Sequence, residues 1–241
     1  MNKQKKAPVP AEPQPPPLRK KVLIVDDHPI VRRGLAELIN QETDLMVCGE
    51  VGTVAEAMNA VPQLTPDIAM VDISLGGGSG LELTKNLHQL YPKLPILVLS
   101  MHDETLYAER ALRAGALGYV MKQESPDVLL HAIRKALANE RHLSEKMMSR
   151  LLAEMMQGEK DASVHGGVER LSDRELEVFE RFGRGLSTRE IADALHISVK
   201  TVETHYTRMK IKLGVQTGTE LLQRAMHWVH GLTAEDGKGK Q

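Results

Sequence analysis

Three acids, a hydroxyl and an ammonium close short apolar runs in this chain. Val22-Leu23-Ile24-Val25 ends in Asp26-Asp27, Ile68-Ala69-Met70-Val71 in Asp72, Ile96 to Leu99 in Ser100, and Tyr119-Val120-Met121 in Lys122. A short apolar run of this kind reads as a strand buried on both faces, as parallel sheets require. Open α/β sheets bind ligands beyond the carboxyl ends of their strands. In the flavodoxin-like strand order 2-1-3-4-5, Asp26, Asp27 and Asp72 converge on one crevice, with Ser100 and Lys122 on the Asp72 side. Carboxylates this close repel and titrate together. A divalent cation relieves the repulsion, and Mg2+ suits a few carboxylates plus a phosphate. Metal and Lys122 would neutralise charge on a transferring phosphoryl group, and a carboxylate is an adequate nucleophile for it. Asp72 is therefore read as a phosphoryl acceptor, with Ser100 able to hydrogen-bond the new phosphate oxygens. Singly, each residue is an ordinary polar strand exit; the set at matching strand ends carries the reading.

The elements that must position these groups alternate. Helices are expected over Pro29 to Asn40, Thr53 to Leu64, Leu81 to Leu90 and Leu106 to Ala114, with a fifth capped by Ser125 and opened by Pro126. Strands lie between them, the second at Met46 to Val51. Five β-α units in a row imply a parallel sheet with helices on both faces. Ahead of them, residues 1–19 form a Lys-, Gln- and Pro-rich stretch read as a disordered tail.

The chain of 241 residues is long enough for two domains. A net charge of −1 excludes a generic polyanion binder, so any basic surface must be local. Aromatics at 3% weigh against base stacking on aromatic platforms. The one cysteine, Cys48, permits no disulfide within the chain and fits a reducing compartment. No apolar run approaches the roughly 20 residues of a membrane span, and the basic N-terminus lacks the apolar centre of a signal peptide. A cytoplasmic location is expected, with no membrane partner.

Beyond residue 142 the character changes. Residues 143–168 read as a linker: a Met-rich helix over Leu143 to Met156, then a polar, Gly-containing stretch. From Glu169 an all-α unit begins. Ser172-Asp173-Arg174-Glu175 and Ser187-Thr188-Arg189-Glu190 are capping boxes. Ser198 caps a longer helix ended by Gly214, and Thr219 to His230 is the last. Helix, tight turn, helix is the helix-turn-helix arrangement. On the long helix Val202, Tyr206, Met209 and Leu213 form one core stripe, with Lys200, Thr204 and Thr207 opposite and Glu203 and Arg208 at the flanks. Between Ser198 and Gly214, Lys200, Arg208, Lys210 and Lys212 outweigh Glu203, four minus one giving plus three. That focus of charge suits contact with phosphates of double-stranded DNA. The last helix carries more apolar surface than one core face needs, which suggests a homodimer contact or packing on the first domain.

Residues 20–142 resemble a response-regulator receiver domain. The carriers are Val25-Asp26-Asp27-His28-Pro29, Pro66-Asp67 leading to Val71-Asp72-Ile73, Ser79-Gly80-Leu81-Glu82-Leu83, Val98-Leu99-Ser100-Met101, and Gly115 through Lys122. The resemblance implies that Asp72 takes a phosphoryl group from a phosphohistidine on a sensor histidine kinase. It further implies that Asp27, Asp72 and the Ser74 carbonyl contact Mg2+ directly and Asp26 through water. Ser100 and Tyr119 would be the switch pair, and Ser74 and His102 would influence phosphate loss. The family usually has Pro four residues after the acceptor; Gly76 stands there, inside Gly76-Gly77-Gly78, which points to a looser loop.

Residues 169–231 resemble the DNA-binding domain of the NarL/FixJ, or LuxR-type, class, with residues 232–241 as a disordered tail. The carriers are Leu171 to Val178, Gly185 to Ala192, Ile197 to His205, and Lys212-Leu213-Gly214-Val215. The resemblance implies base contacts from Glu203, Thr204 and Thr207, with Lys200 and neighbours such as Thr201 on phosphates; Arg208 and Lys210 add to the basic face. Glu203 departs from the lysine common there and either accepts from a cytosine amino group or faces solvent. The expected protein is an α/β (βα)5 receiver followed by a four-helix all-α helix-turn-helix domain: a phosphorylation-controlled transcription factor and not an enzyme. The alternative is a phosphorylation-independent DNA-binding regulator with a docking-only receiver. A phosphatase using an aspartyl nucleophile would usually need a second acid two residues on, where Ser74 stands.

Overall fold

The computed structural model describes residues 18–75, 78–101, 104–149 and 167–236. Strands β1 (Lys20–Val25), β2 (Leu45–Val51), β3 (Ile68–Asp72), β6 (Ile96–Ser100) and β7 (Gly118–Met121) form a five-stranded sheet in the order β2-β1-β3-β6-β7. Every pairing in it is parallel. Two further strands, β4 (Ser74–Leu75) and β5 (Gly78–Ser79), make a small antiparallel hairpin directly after β3. The alternating elements are α1 (Pro29–Asn40), α2 (Val54–Leu64), α3 (Gly80–Leu90), α4 (Glu104–Arg113) and α5 (Pro126–Leu137).

The period of two along β1 divides the core. Val22 and Ile24 pack with Ile39 of α1 and Leu130 and Ile133 of α5. Leu23 and Val25 pack on the other face with Ala57 and Val61 of α2 and Leu83 and Leu87 of α3. The central strands β3 and β6 are buried throughout, as their unbroken apolar runs require. Cys48 is half-buried and lies where the β1–β2 register slips, since Val22 pairs with Val47 and Leu23 with Gly49.

The second domain opens on a 3-10 turn, Val168–Arg170, and continues through α6 (Asp173–Gly183), α7 (Thr188–Ala194), α8 (Val199–Leu213) and α9 (Gly218–Asp236). Both capping boxes form: the Ser172 and Ser187 hydroxyls accept from the amides of Glu175 and Glu190, whose carboxylates accept in return. Gly214 takes the left-handed conformation that ends α8, at φ 68°.

Several boundaries differ from expectation, and one element is additional. α4 begins at Glu104 rather than Leu106. α9 continues past His230 to Asp236, into the stretch read as a tail. The β4–β5 hairpin has no periodic signal in the sequence, because two-residue strands carry none. In the linker, residues 145–149 are helical and Met147 is buried, so the helix starts after Ser144 and not at Leu143; residues 150–156 of the expected linker helix, and Gly76, Gly77 and His102, lie outside the described residues.

Candidate functional site: an acidic pocket and a DNA-reading helix

Four of the five strands of the sheet, β1, β3, β6 and β7, end at the pocket. Asp26, Asp72 and Ser100 are buried at the carboxyl ends of β1, β3 and β6. The Lys122 ammonium bridges two of them, 2.6 Å from Asp26 Oδ2 and 2.8 Å from Asp72 Oδ2. Its backbone amide donates to the Ser100 carbonyl at 2.8 Å, which ties the β7 exit to the β6 exit. Asp27 is more open, and one ligand atom each from Asp26, Asp27, His28 and Asp72 lies within 4.8 Å of the others. Burial pushes the Asp72 carboxyl up to about 6; Lys122 opposes the rise, and Asp26 and Asp27 add to it. Burial acts to depress Lys122, but Asp72 and Asp26 outweigh it and hold its pKa above the usual lysine value.

Three carboxylates against one ammonium leave about two negative charges in the pocket. Oxygen donors of that charge, in a cluster of that size, fit a hard divalent cation such as Mg2+. Ser74, on β4, stands two residues beyond Asp72, and Tyr119 is buried on β7 opposite Val98, two residues before Ser100.

Two residues near the pocket were not singled out in the sequence. His28 turns its ring toward the acids, with Nδ1 2.7 Å from Asp27 Oδ1 and 3.2 Å from Asp26 Oδ1, and its amide donates to Asp26 Oδ1 at 2.8 Å. Arg32, one helical turn later, donates from its guanidinium to the Asp26 carbonyl. Their i, i+4 spacing at the start of α1 is the signal that places both on the pocket side. Gly80 is also positional: a Cβ there would lie 1.8 Å from the Asp72 carbonyl oxygen. Only glycine lets α3 begin this close to the end of β3.

On α8 the two faces separate as the stripe requires. Val202, Met209 and Leu213 are buried and Tyr206 is half-buried against Phe182. Lys200, Thr201, Glu203, Thr204, Thr207 and Arg208 are exposed, and Lys210 is half-buried. The Thr204 and Thr207 hydroxyls donate to the Lys200 and Glu203 carbonyls one turn back, at 2.9 and 3.1 Å. Their lone pairs remain for an outside donor. Lys212 corrects the charge count: its ammonium donates to Glu175 Oε2 at 2.6 Å, so part of the excess on this helix is spent holding α6. Leu221 and Ala225 of α9 are buried, and Trp228 tilts against Phe179 with ring centroids 5.5 Å apart. Much of the apolar excess of α9 therefore serves its own domain, while Met226 stays exposed.

The comparisons with known proteins agree with both halves. Residues 22–134 match the response regulator receiver domain, and residues 169–225 match the bacterial regulatory proteins of the luxR family. The transcriptional activator protein ExaE of Pseudomonas putida is 36% identical, over 85% of this chain and 95% of that protein. The chain belongs to the LuxR-type two-component response regulators. The oxygen regulatory protein NreC of Staphylococcus aureus is another relative, 34% identical over 86% of this chain and 96% of its own. Among solved structures, RcsB from Salmonella enterica serovar Typhimurium, bound to the rprA promoter with phosphomimetic BeF3−, is 31% identical with a TM-score of 0.56. That match covers 86% of this chain and 98% of the RcsB chain. A structure of two RcsB dimers on two parallel DNAs is 30% identical at a TM-score of 0.53, covering 88% and 99% of the two chains. Like other response regulators of this class, the chain joins a receiver to a DNA-binding domain and is a transcription regulator. No helix among the described residues is long and apolar enough to cross a membrane.

Proposed function

We propose that Asp72 is the phosphoryl acceptor of this response regulator and that its phosphorylation controls DNA binding by α8. The observation that carries the reading is Lys122 bridging Asp26 and Asp72 in one buried pocket. As a carboxylate, Asp72 attacks the phosphorus of a phosphohistidine on a sensor histidine kinase, and the imidazole leaves. Asp26, Asp27, Asp72 and the Ser74 carbonyl would hold Mg2+, which supplies charge neutralisation on the transferring group when bound. Lys122 adds a fixed positive charge beside the acceptor oxygen. The Ser100 hydroxyl turns to the new phosphate, and Tyr119 follows into the space it leaves; these two are the switch.

At the other end, Glu203, Thr204 and Thr207 meet bases, while Lys200, Thr201, Arg208 and Lys210 meet phosphates. The protein acts in the cytoplasm as a homodimer on paired half-sites, without enzymatic turnover of a released substrate. The RcsB dimers on DNA support the dimeric reading.

The test is labelling with acetyl phosphate and Mg2+. Wild type takes up one phosphoryl group, cleaved by hydroxylamine as an acyl phosphate is, and Asp72→Asn takes up none. Undiminished labelling of Asp72→Asn overturns the assignment. An unlabelled wild type that still binds its DNA favours the phosphorylation-independent regulator.

A further inference from the structure

Asp26 divides its carboxylate between two partners. Oδ2 lies 2.6 Å from the Lys122 ammonium, which also holds Asp72 through its Oδ2. Oδ1 faces the other way: the His28 amide donates to it at 2.8 Å, and the His28 ring brings Nδ1 to 3.2 Å. The same Nδ1 lies 2.7 Å from Asp27 Oδ1. Asp26 Oδ1, Asp27 Oδ1 and His28 Nδ1 therefore form a group of their own at the rim of the pocket. Side-chain exposure rises across it from 1% at Asp26 through 19% at Asp27 to 62% at His28, so the group opens to solvent. The ring is free for this use because His28 precedes α1 without capping it; its backbone is extended and its side chain accepts no helix amide. The Arg32 guanidinium, donating to the Asp26 carbonyl, fixes the peptide that joins the two acids.

Two donors about 2.1 Å from one ion, at neighbouring corners of its shell, stand about 3.0–3.4 Å from each other. The observed 2.7 and 3.2 Å are close to that spacing, and one Asp72 oxygen completes a set of four ligand atoms within 4.8 Å of one another. A ring hydrogen bond to Asp27 also accounts for 2.7 Å, and the chemistry of the nitrogen separates the two uses. Mg2+ takes oxygens and keeps its waters, so an imidazole adds little for it. Zn2+ and Co2+ take imidazole nitrogen readily. From this geometry we infer that the rim is a site for a borderline divalent ion of the Zn2+ or Co2+ kind, held by Asp26 Oδ1, Asp27 Oδ1 and His28 Nδ1, and that such an ion competes with Mg2+ for the shared acids. The inference rests on the reading above for Mg2+ and adds a determinant of specificity to it: His28 sets which class of ion the pocket prefers. Asp26 Oδ1 keeps a lone pair for the ion beyond the one taken by the His28 amide.

The test uses the full chain and Zn2+ itself. A crystal of the wild type soaked in Zn2+ and measured at the zinc edge is expected to show an anomalous peak about 2.0–2.2 Å from His28 Nδ1. In solution, calorimetry gives Zn2+ and Mg2+ affinities for wild type, His28→Gln and His28→Phe. Gln still donates a hydrogen bond to Asp27 but lacks the imidazole nitrogen. The ratio of Zn2+ to Mg2+ affinity is expected to fall at least about tenfold in both variants, and added Mg2+ is expected to weaken Zn2+ binding to wild type. An unchanged ratio in both variants overturns the inference, because His28 then only orients Asp27. Zinc found at other histidines and absent from His28 overturns it as well, and Zn2+ binding indifferent to Mg2+ overturns the competition. Acetyl phosphate labelling in Mg2+ keeps the two readings apart. A wild type labelled on Asp72 with no zinc at His28 sinks only the rim site; zinc at His28 in a wild type that takes no label sinks only the phosphoacceptor.

Discussion

Asp72 combines burial with a raised pKa, and the two have a consequence for stability. Its carboxyl titrates near 6 in the folded chain against an ordinary value of 3.8. Between those values the folded state holds the proton more tightly than the unfolded chain, so stability falls as pH rises through that window. Above it, the metal-free protein carries the full cost of the buried charge. Asp72→Asn is therefore expected to be more stable than wild type by about 1–3 kcal/mol at pH 7.5 in EDTA. The difference should close below about pH 4 and shrink when Mg2+ is added; urea unfolding at the two pH values measures it. Gly80 bears on the same site through space. Gly80→Ala puts a methyl within 1.8 Å of the Asp72 carbonyl oxygen, so α3 must move. A loss of about 3 kcal/mol in urea unfolding is expected, together with slower labelling of Asp72. The acids themselves were legible in the sequence, because each ends an apolar run and parallel strands point their carboxyl ends the same way. His28 and Arg32 were not, since a histidine and an arginine at the start of a helix look like solvated residues until the strand exit beside them is placed.

Among the elements, α8 depends most on its ends. The Ser198 hydroxyl accepts from the Thr201 amide at 3.1 Å, and nothing acidic stands in the first turn. Ser198→Ala is expected to cost about 1 kcal/mol in the thermal unfolding of the DNA-binding domain. It should also weaken DNA binding, since Lys200 and Thr201 sit on the turn that loosens. Glu203 is exposed on the same helix, so Glu203→Lys adds a phosphate contact without disturbing the core. Nonspecific affinity should rise and the salt dependence steepen by about one unit of log–log slope, with selectivity relaxed; a titration at several salt concentrations reads both. Helix starts were legible wherever a side chain caps them, at Thr53, Ser125, Ser172, Ser187 and Ser198. The onset of α4 lies two residues before the expected one, directly after Asp103, a residue type favoured at helix starts. The β4–β5 hairpin was invisible for a different reason, its four residues being too few to show a period.

For the whole molecule, the sequence showed two domains and their order but not their contact. Tyr107 and Ala111 have the spacing of a core-facing stripe, and periodicity tells that a face is buried, not against what. The partner became evident only with Arg110 on the carbonyls of Val168 and Leu171. That contact joins β7, which carries Tyr119, to α6, so a change at the acidic pocket would have a packed route to the second domain. The most direct measurement follows Asp72 occupancy and DNA affinity in the same samples, by intact mass and by titration of a selected duplex, as acetyl phosphate is added. The account expects affinity to climb in step with occupancy in wild type and to stay flat in Asp72→Asn. A fully phosphorylated wild type with unchanged affinity would contradict it.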